Sequence, residues 1–382
     1  MMPSPKLRVL HVYKTYYPDT FGGIEQVIRQ IALSTMPLGV ESRVFTLSTN
    51  ARQQRVVHDS GLKVIRAPVT VEIASNAMSL QAIHSFRQAV EWADVLQYHF
   101  PWPFGDVLHL LAGKNKPALV TYHSDIVRQK ALMHVYRPLM TRFLSSIQAI
   151  VATSPNYAQS SDTLQRLKDR VSMIPIGIDE TSFPPPDSVL LDSWRERVGE
   201  GFFLFIGVLR YYKGLHILLE AMRDADLPLV IVGKGPEEGE LQALARTLKL
   251  RRVVFAGAVP DDDKMALLAL SQAVVFPSHL RSEAYGVTLV EAAMCGKPMI
   301  TAEIGTGTSF VNLNNETGLV VPPADSAALL KAMTQLEADP ERTAEMGFNA
   351  RRRFEALFTA DRMGRDYDAL YRRLRKEMAK AA

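Results

Sequence analysis

Short apolar runs alternating with helix-period segments along most of the chain constrain its fold more than any other feature. Residues 7–13 (LRVLHVY) form a compact apolar strand, and the loop KTYYPDTFGG leads to a helix starting near Ile24, where Val27, Ile28, Ile31 and Ala32 make a stripe at helical spacing. Residues 43–47 return as a strand. Further apolar runs lie at 62–67, 95–98, 118–122 and 149–153, the later ones separated by helical patterns around 79–93, 104–111 and 133–144. Such alternation is the pattern of a doubly wound α/β domain.

A last short strand at 171–176 precedes Gly177-Ile178-Asp179 and then Phe183-Pro184-Pro185-Pro186-Asp187. Three consecutive prolines stiffen the chain and stop any regular element, which marks a domain boundary. The alternation resumes at 202–208 (FFLFIGV) and continues through the helix 215–222, the strand 228–232, the helix 240–248 and the strand 253–256. The expectation is an α/β protein with a first Rossmann-like domain over 1–180, a linker over 181–197 and a second such domain over 198–357. Residues 358–382 are a helical segment returning to the first domain through the face Met363, Tyr367, Leu370, Tyr371 and Leu374. A chain of 382 residues is long enough for two cores.

In doubly wound sheets, ligands bind at the carboxyl ends of strands. Residues 273–303 (AVVFPSHLRSEAYGVTLVEAAMCGKPMITAE) carry such an end: an apolar strand, a break at Pro277, a polar loop with Glu283, and a helix starting near Gly286–Thr288. Glu283 and Glu291 are eight residues apart, so both can face one crevice without touching. Leu289, Val290, Ala292, Ala293 and Met294 leave Glu291 as an isolated charge, which needs a partner or a ligand because desolvating it alone costs several kcal/mol. Arg210 and Lys213 follow the first strand of the second domain and suit a diphosphate, although a solvated basic turn accounts for them equally well. The pair Gly22-Gly23 before a helix lets the backbone approach an anion, but paired glycines are also ordinary loop residues. His123 closes the run ALVTY and opens a polar loop, which places it outside the core, as a site residue or as a loop histidine held by a carbonyl. Asp261-Asp262-Asp263 open a helix and read as caps rather than metal ligands.

Several classes are disfavoured. The first turn lacks the G-x-G-x-x-G fingerprint of nicotinamide and flavin enzymes. A formal charge of +4 does not call for nucleic acid, and a lone Cys295 allows no intramolecular disulfide or cysteine metal cluster and fits a reducing compartment. Residues 7–12 are too short for a signal sequence, and no apolar stretch reaches membrane-spanning length. Basic residues gather at Arg128, Lys130, Arg137 and Arg142, and again at Arg351, Arg352, Arg353, Arg372, Arg373, Arg375 and Lys376.

EAYGVTLVEAAMCGKPMI resembles the E-x7-E region of the retaining, nucleotide-sugar-dependent glycosyltransferases of family 4, whose GT-B fold sets two Rossmann-like domains around a central cleft. FGGIEQV, PIGID, YYKG, VGKGP, PSHLRSEAYG and ETGLVVPP occur in that family's order over nearly the whole chain. HVYKTYYPD, YHSDIVRQ and GVLRYYKGLH are similar to the bacterial enzymes that add mannose or rhamnose from GDP-sugars to lipid-linked O-antigen or related polysaccharide. The resemblance implies that Glu291 binds the ribose and Glu283 the transferred sugar. It assigns the diphosphate to the amides of Tyr285, Gly286, Val287 and Thr288 with Gly23 and Lys213, and places His123 on the first domain's side of the reaction centre. Gly22, Gly233, Val259 and Ala284 join the expected donor site. Many family members carry arginine immediately after the glycine matching Gly207; here Val208 stands there, and Arg210 is the candidate substitute. No cofactor or metal is implied. The implied partners are a GDP-sugar, a polyprenyl-diphosphate-linked saccharide acceptor and, through the basic patches, an anionic surface on the inner face of the bacterial cytoplasmic membrane; nucleic acid is not among them. The alternatives are a UDP- or ADP-sugar transferase with a soluble acceptor, a non-hydrolysing sugar-nucleotide epimerase, and a non-catalytic nucleotide-sugar-binding subunit.

Overall fold

The computed structural model describes residues 6–20, 22–51, 55–73, 76–126, 130–183, 185–223 and 225–381. The chain forms two compact units, one of Met1–Thr153, Ser161–Gly177 and Ala360–Ala382, the other of Ser154–Ser160 and Ile178–Thr359.

The first unit is built on an eight-stranded sheet in the order Val171–Met173, Ala149–Ala152, Ala118–Tyr122, Val95–Phe100, Leu7–Val12, Val40–Ser48, Leu62–Pro68, Arg55–Asp59. All neighbours pair in parallel except the last two. That antiparallel edge strand, Arg55–Asp59, has no counterpart in the sequence expectation, because its sequence RVVHD offers only two apolar residues and no longer apolar run. Strand order reverses between Leu7–Val12 and Val95–Phe100, and the register sets His11 opposite Gln97 and His99 opposite Thr121. Chain order and sheet order diverge at such a point, leaving a crevice at the carboxyl ends of the two strands.

The helix Ala360–Ala381 belongs to this unit, with Met363, Tyr367, Leu370, Tyr371 and Leu374 buried. The Tyr367 and Thr121 hydroxyls are 3.0 Å apart, Tyr371 donates to Gln97 Oε1, and the Gln97 amide donates to Thr121 Oγ1 at 2.8 Å. These partners satisfy polar groups that would otherwise be costly to bury between helix and sheet.

The second unit holds a six-stranded, wholly parallel sheet in the order Val253–Gly257, Leu229–Val232, Phe202–Ile206, Ser271–Phe276, Met299–Ala302, Gly318–Val321. Its reversal lies between Phe202–Ile206 and Ser271–Phe276. Phe203, Phe205, Leu218, Val275, Ile300 and Met333 are among the side chains of one core layer. Residues 181–197, expected as linker, include most of the helix Ser188–Val198. Asp187 caps that helix by accepting from the Leu190 amide at 2.7 Å, and its buried Trp194 donates to Asp263 at 2.7 Å. The stiff segment is therefore confined to the prolines before the cap, of which Pro184 lies outside the described residues.

Candidate functional site

In the second unit the loops leaving the two central strands are joined through their backbones. After Phe202–Ile206 the chain makes a tight turn at Tyr211–Lys213 and passes through Gly214 at φ 74°. A Cβ at Gly214 would strike the Pro277 carbonyl, and the His279 amide donates to the Tyr212 carbonyl at 3.0 Å. This docking brings the Lys213 ammonium onto Glu283 Oε2, which also accepts from Ser278 Oγ at 3.3 Å. The Lys213 and Glu283 side chains are 11% and 10% exposed, a buried pair in which each charge offsets the other's lost hydration. Both contacts fall on Oε2, so among the described residues Oε1 of Glu283 has no hydrogen-bond partner.

Glu291 occupies the buried face of the helix Val287–Met294, and its partner is Lys264, with Nζ 2.8 Å from Oε1. Lys264 also meets Asp261 at 2.8 Å and lies over the Phe183 ring. Burial alone would lower the Lys264 pKa, but Glu291 and Asp261 together outweigh it and leave the ammonium raised above its ordinary value. The isolated charge expected on this helix is thus an ion pair, formed by a residue that sequence inspection passed over. The available signal was Lys264 itself, three residues after Asp261 and at the start of the helix Asp261–Leu270. The neighbouring aspartates do not act as side-chain caps, because the cap residue is Pro260. Asp261 instead holds Lys264, and Asp263 holds the Trp194 indole.

The other expected donor positions surround these pairs at strand carboxyl ends. Gly286 precedes the helix at φ 89°, its carbonyl accepts from the Leu289 amide at 2.9 Å, and the Val287 and Thr288 amides have no intrahelical acceptor by helix geometry. Thr288 donates to the Ile206 carbonyl at 3.4 Å, and the Ala284 carbonyl accepts from the Gly307 amide at 2.9 Å. Tyr285 is buried. Gly233 has a structural reason of its own: a Cβ there would strike the Gly207 carbonyl. Val259 is half-buried just past the strand Val253–Gly257. Val208 and Arg210 are both exposed around buried Leu209, and Arg210 forms no ion pair among the described residues.

The first unit carries its own group. Gly22 caps the helix Gly23–Thr35 in an extended conformation, and among the described residues nothing lies within 4 Å of a Cβ placed on Gly23. Beside them the buried Glu25 accepts from Thr15 at 2.8 Å and Thr20 at 2.6 Å, tying the preceding loop to the helix. Glu25 too was missed from sequence, where it reads as an ordinary first-turn acid. His123, expected outside the core, is buried at 7% exposure and ends a row of histidines. His11 Nδ1 lies 3.3 Å from His99 Nε2, and His99 Nδ1 lies 3.0 Å from His123 Nε2. Burial pushes His11 and His123 down to about 3, and burial with the two flanking histidines holds His99 well below the usual range, so all three are neutral near pH 7.

The basic runs divide. Arg351 is paired with Glu180 and Glu355, Arg353 donates to the Phe310 carbonyl, and Arg372 is paired with Asp368. Arg137 and Arg142 are exposed on the helix Lys130–Ser146, beside Val135 at 81% exposure; Arg128 and the Lys130 side chain lie outside the described residues. No helix among the described residues is long and apolar enough to cross a membrane.

Residues 21–182 match the family described as Glycosyltransferase Family 4, and residues 190–353 match Glycosyl transferases group 1. The chain is 53% identical over 354 residues to the D-rhamnosyltransferase WbpZ of Pseudomonas aeruginosa, covering 93% of each chain. It is 50% identical over 365 residues to the O-antigen chain mannosyltransferase C of Escherichia coli, covering 96% of this chain and 98% of that one. Among solved structures it is similar to a sucrose-phosphate synthase from Thermosynechococcus elongatus, with TM-score 0.79, 21% identity and coverage of 97% and 99%. A complex of Anabaena HepE with UDP and glucose gives TM-score 0.76 at 20% identity, covering 95% and 99%. The structural likenesses show the fold: two Rossmann-like α/β domains of the GT-B type.

Proposed function

We propose that this chain, which belongs to the glycosyltransferases, is a retaining family 4 enzyme moving mannose or rhamnose from a GDP-sugar to a lipid-linked oligosaccharide in O-antigen or related polysaccharide synthesis. The observation that carries the donor site is the buried Lys213–Glu283 pair at the strand-order reversal of the second sheet. The two relatives compared above, at 53% and 50% identity, are named for rhamnosyl and mannosyl transfer, which supports the hexose.

Lys213, exposed Arg210 and the first amides of Val287–Met294 stabilise negative charge on the departing diphosphate. Glu283, anchored through Oε2, offers Oε1 to hydroxyls of the transferred sugar, and Glu291, with one oxygen on Lys264, offers the other to the ribose. The bond from the anomeric carbon to the phosphate oxygen breaks while the acceptor oxygen bonds to that carbon on the same face. The departing phosphate oxygen takes the acceptor proton. Glu283 is assigned to hold the sugar through its hydroxyls and is not assigned as a covalent nucleophile. In the first unit, Gly22, Gly23 and His123 are the residues assigned to meet substrate.

Donor profiling with GDP-mannose, GDP-rhamnose, UDP-glucose and UDP-N-acetylglucosamine tests the proposal. A GDP concentration near 100 times its Kd should stabilise the chain by about 2.7 kcal/mol, with UDP at the same concentration giving little protection. The reverse order would overturn the GDP assignment in favour of a UDP-sugar transferase.

The membrane part rests on the helix Lys130–Ser146, where Arg137 and Arg142 stand exposed beside Val135. Each basic residue near an anionic surface contributes about 1 kcal/mol. Arg137→Glu with Arg142→Glu should weaken co-sedimentation with anionic liposomes at low salt by roughly tenfold or more. Equal binding of the native chain to neutral and anionic liposomes would sink the idea.

A further inference from the structure

We propose that His11 and His99 are positioning residues that hold His123 in one tautomer, with its proton on Nδ1, so that it presents an N–H donor to a substrate oxygen. This rests on the placement of His123 in the glycosyl-transfer site; the state of the histidine row itself does not.

The three residues come from adjacent strands at the carboxyl edge of the first sheet. His11 is in Leu7–Val12, His99 in Val95–Phe100, and His123 immediately follows Ala118–Tyr122. They share one sheet face, because side chains repeat every two residues and the register sets His11 beside Gln97 and His99 beside Thr121. The same face carries Gln97 and Thr121, held by Tyr371 and Tyr367 of the C-terminal helix. The rings of neighbouring histidines are close to parallel, at 24° and 16°. The edge of Tyr13 packs against the middle ring, with centroids 6.4 Å apart.

Three neutral imidazoles contain three N–H groups, and the two links between them use two. The protons can run in only two directions. If they run from His11 toward His123, His123 Nε2 accepts and its remaining proton is on Nδ1. If they run the other way, His11 Nε2 carries an N–H.

The closed end of the row decides between them. His11 is fully buried and its Nε2 has no hydrogen-bond partner among the described residues. Buried N–H groups without acceptors are rarer in folded proteins than buried acceptors short of a donor. The first direction leaves a bare lone pair at that end, and the second would leave a bare N–H. Which nitrogen of a histidine is protonated follows from the hydrogen bond made by the other. Nδ1 of His123 is therefore the donor, and it has no partner among the described residues. The row does not conduct protons, because its His11 end has no exit.

Histidine-selective 15N labelling of the full chain, read by long-range 1H–15N correlation, tests this directly. Signals of His123 are assigned by their loss in His123→Gln. The native chain should show His123 Nδ1 protonated and Nε2 bare. In His99→Leu the same signals should move toward the Nε2–H form preferred by a free neutral histidine. The kcat should fall about tenfold, the size of one neutral hydrogen bond lost, with the donor KM within about twofold. His99→Gln, whose amide can donate to His123 Nε2, should recover most of both. A protonated Nε2 on His123 in the native chain would overturn the proposal even if His99→Leu does not fold. If the tautomer is as expected but His123→Ala transfers sugar at the native rate, the placement of His123 in the reaction falls while the ordering of the row stands.

Discussion

Glu283→Gln should lower the rate of glycosyl transfer by roughly 10²–10³-fold, the usual effect of removing one electrostatic contact to a developing transition state, while most nucleotide affinity remains. Glutamine keeps the shape of the side chain but loses the charge opposing Lys213, and its amide cannot accept sugar hydroxyls at both positions. Glu283→Ala should also reduce stability by about 3–5 kcal/mol, because it strands the Lys213 ammonium in a buried setting. Adding Lys213→Met to Glu283→Ala should return much of that stability and none of the activity. Chemical denaturation and initial rates on the four members of this cycle separate the two effects. Native transfer by Glu283→Gln would remove the residue from the site.

The Lys264–Glu291 pair should show an asymmetry. Glu291 has Lys264 as its only ion-pair partner among the described residues, whereas Lys264 also has Asp261. Lys264→Met leaves a buried carboxylate alone and should cost about 3–5 kcal/mol; Glu291→Gln leaves Lys264 with Asp261 and should cost clearly less. The lysine pKa is raised in the folded chain, so its contribution is fully present below the ordinary value of 10.5 and is lost as pH rises through the folded value. The full difference should therefore appear at neutral pH. Both variants should bind nucleotide more weakly, Glu291→Gln through the lost ribose contact and Lys264→Met through a carboxylate no longer held in place. Equal stabilities would show that Asp261 contributes nothing to Lys264. Native nucleotide affinity in Glu291→Gln would remove Glu291 from the donor site.

Much of the fold was legible because burial of both faces of a parallel sheet demands continuous apolar runs, and these stand out at 95–98, 118–122, 202–206 and 273–276. The edge strand Arg55–Asp59 was not, since pairing on one side needs no such run. The helix Ser188–Val198 hid behind the prolines, its mostly polar face broken by one buried tryptophan. Within the site, Glu291 announced itself as a charge in apolar surroundings, while Glu283 and Lys213 stood out through their loops at strand ends and the resemblance. Lys264, Glu25 and His11 did not, because each looks ordinary beside its chain neighbours and acquires its setting only from segments distant in sequence.

The sequence by itself determined the alternation of strands and helices, the two α/β units and the glutamates of the E-x7-E stretch, all of which follow from local periodicity and motif order. Only the tertiary structure decided who holds whom: Lys213 on Glu283, Lys264 on Glu291, and His11 and His99 behind His123. The physical reason is that strand order in a doubly wound sheet differs from chain order. Residues 70 apart, as Lys213 and Glu283 are, meet across the reversal, and local periodicity contains no trace of which pairs will meet there.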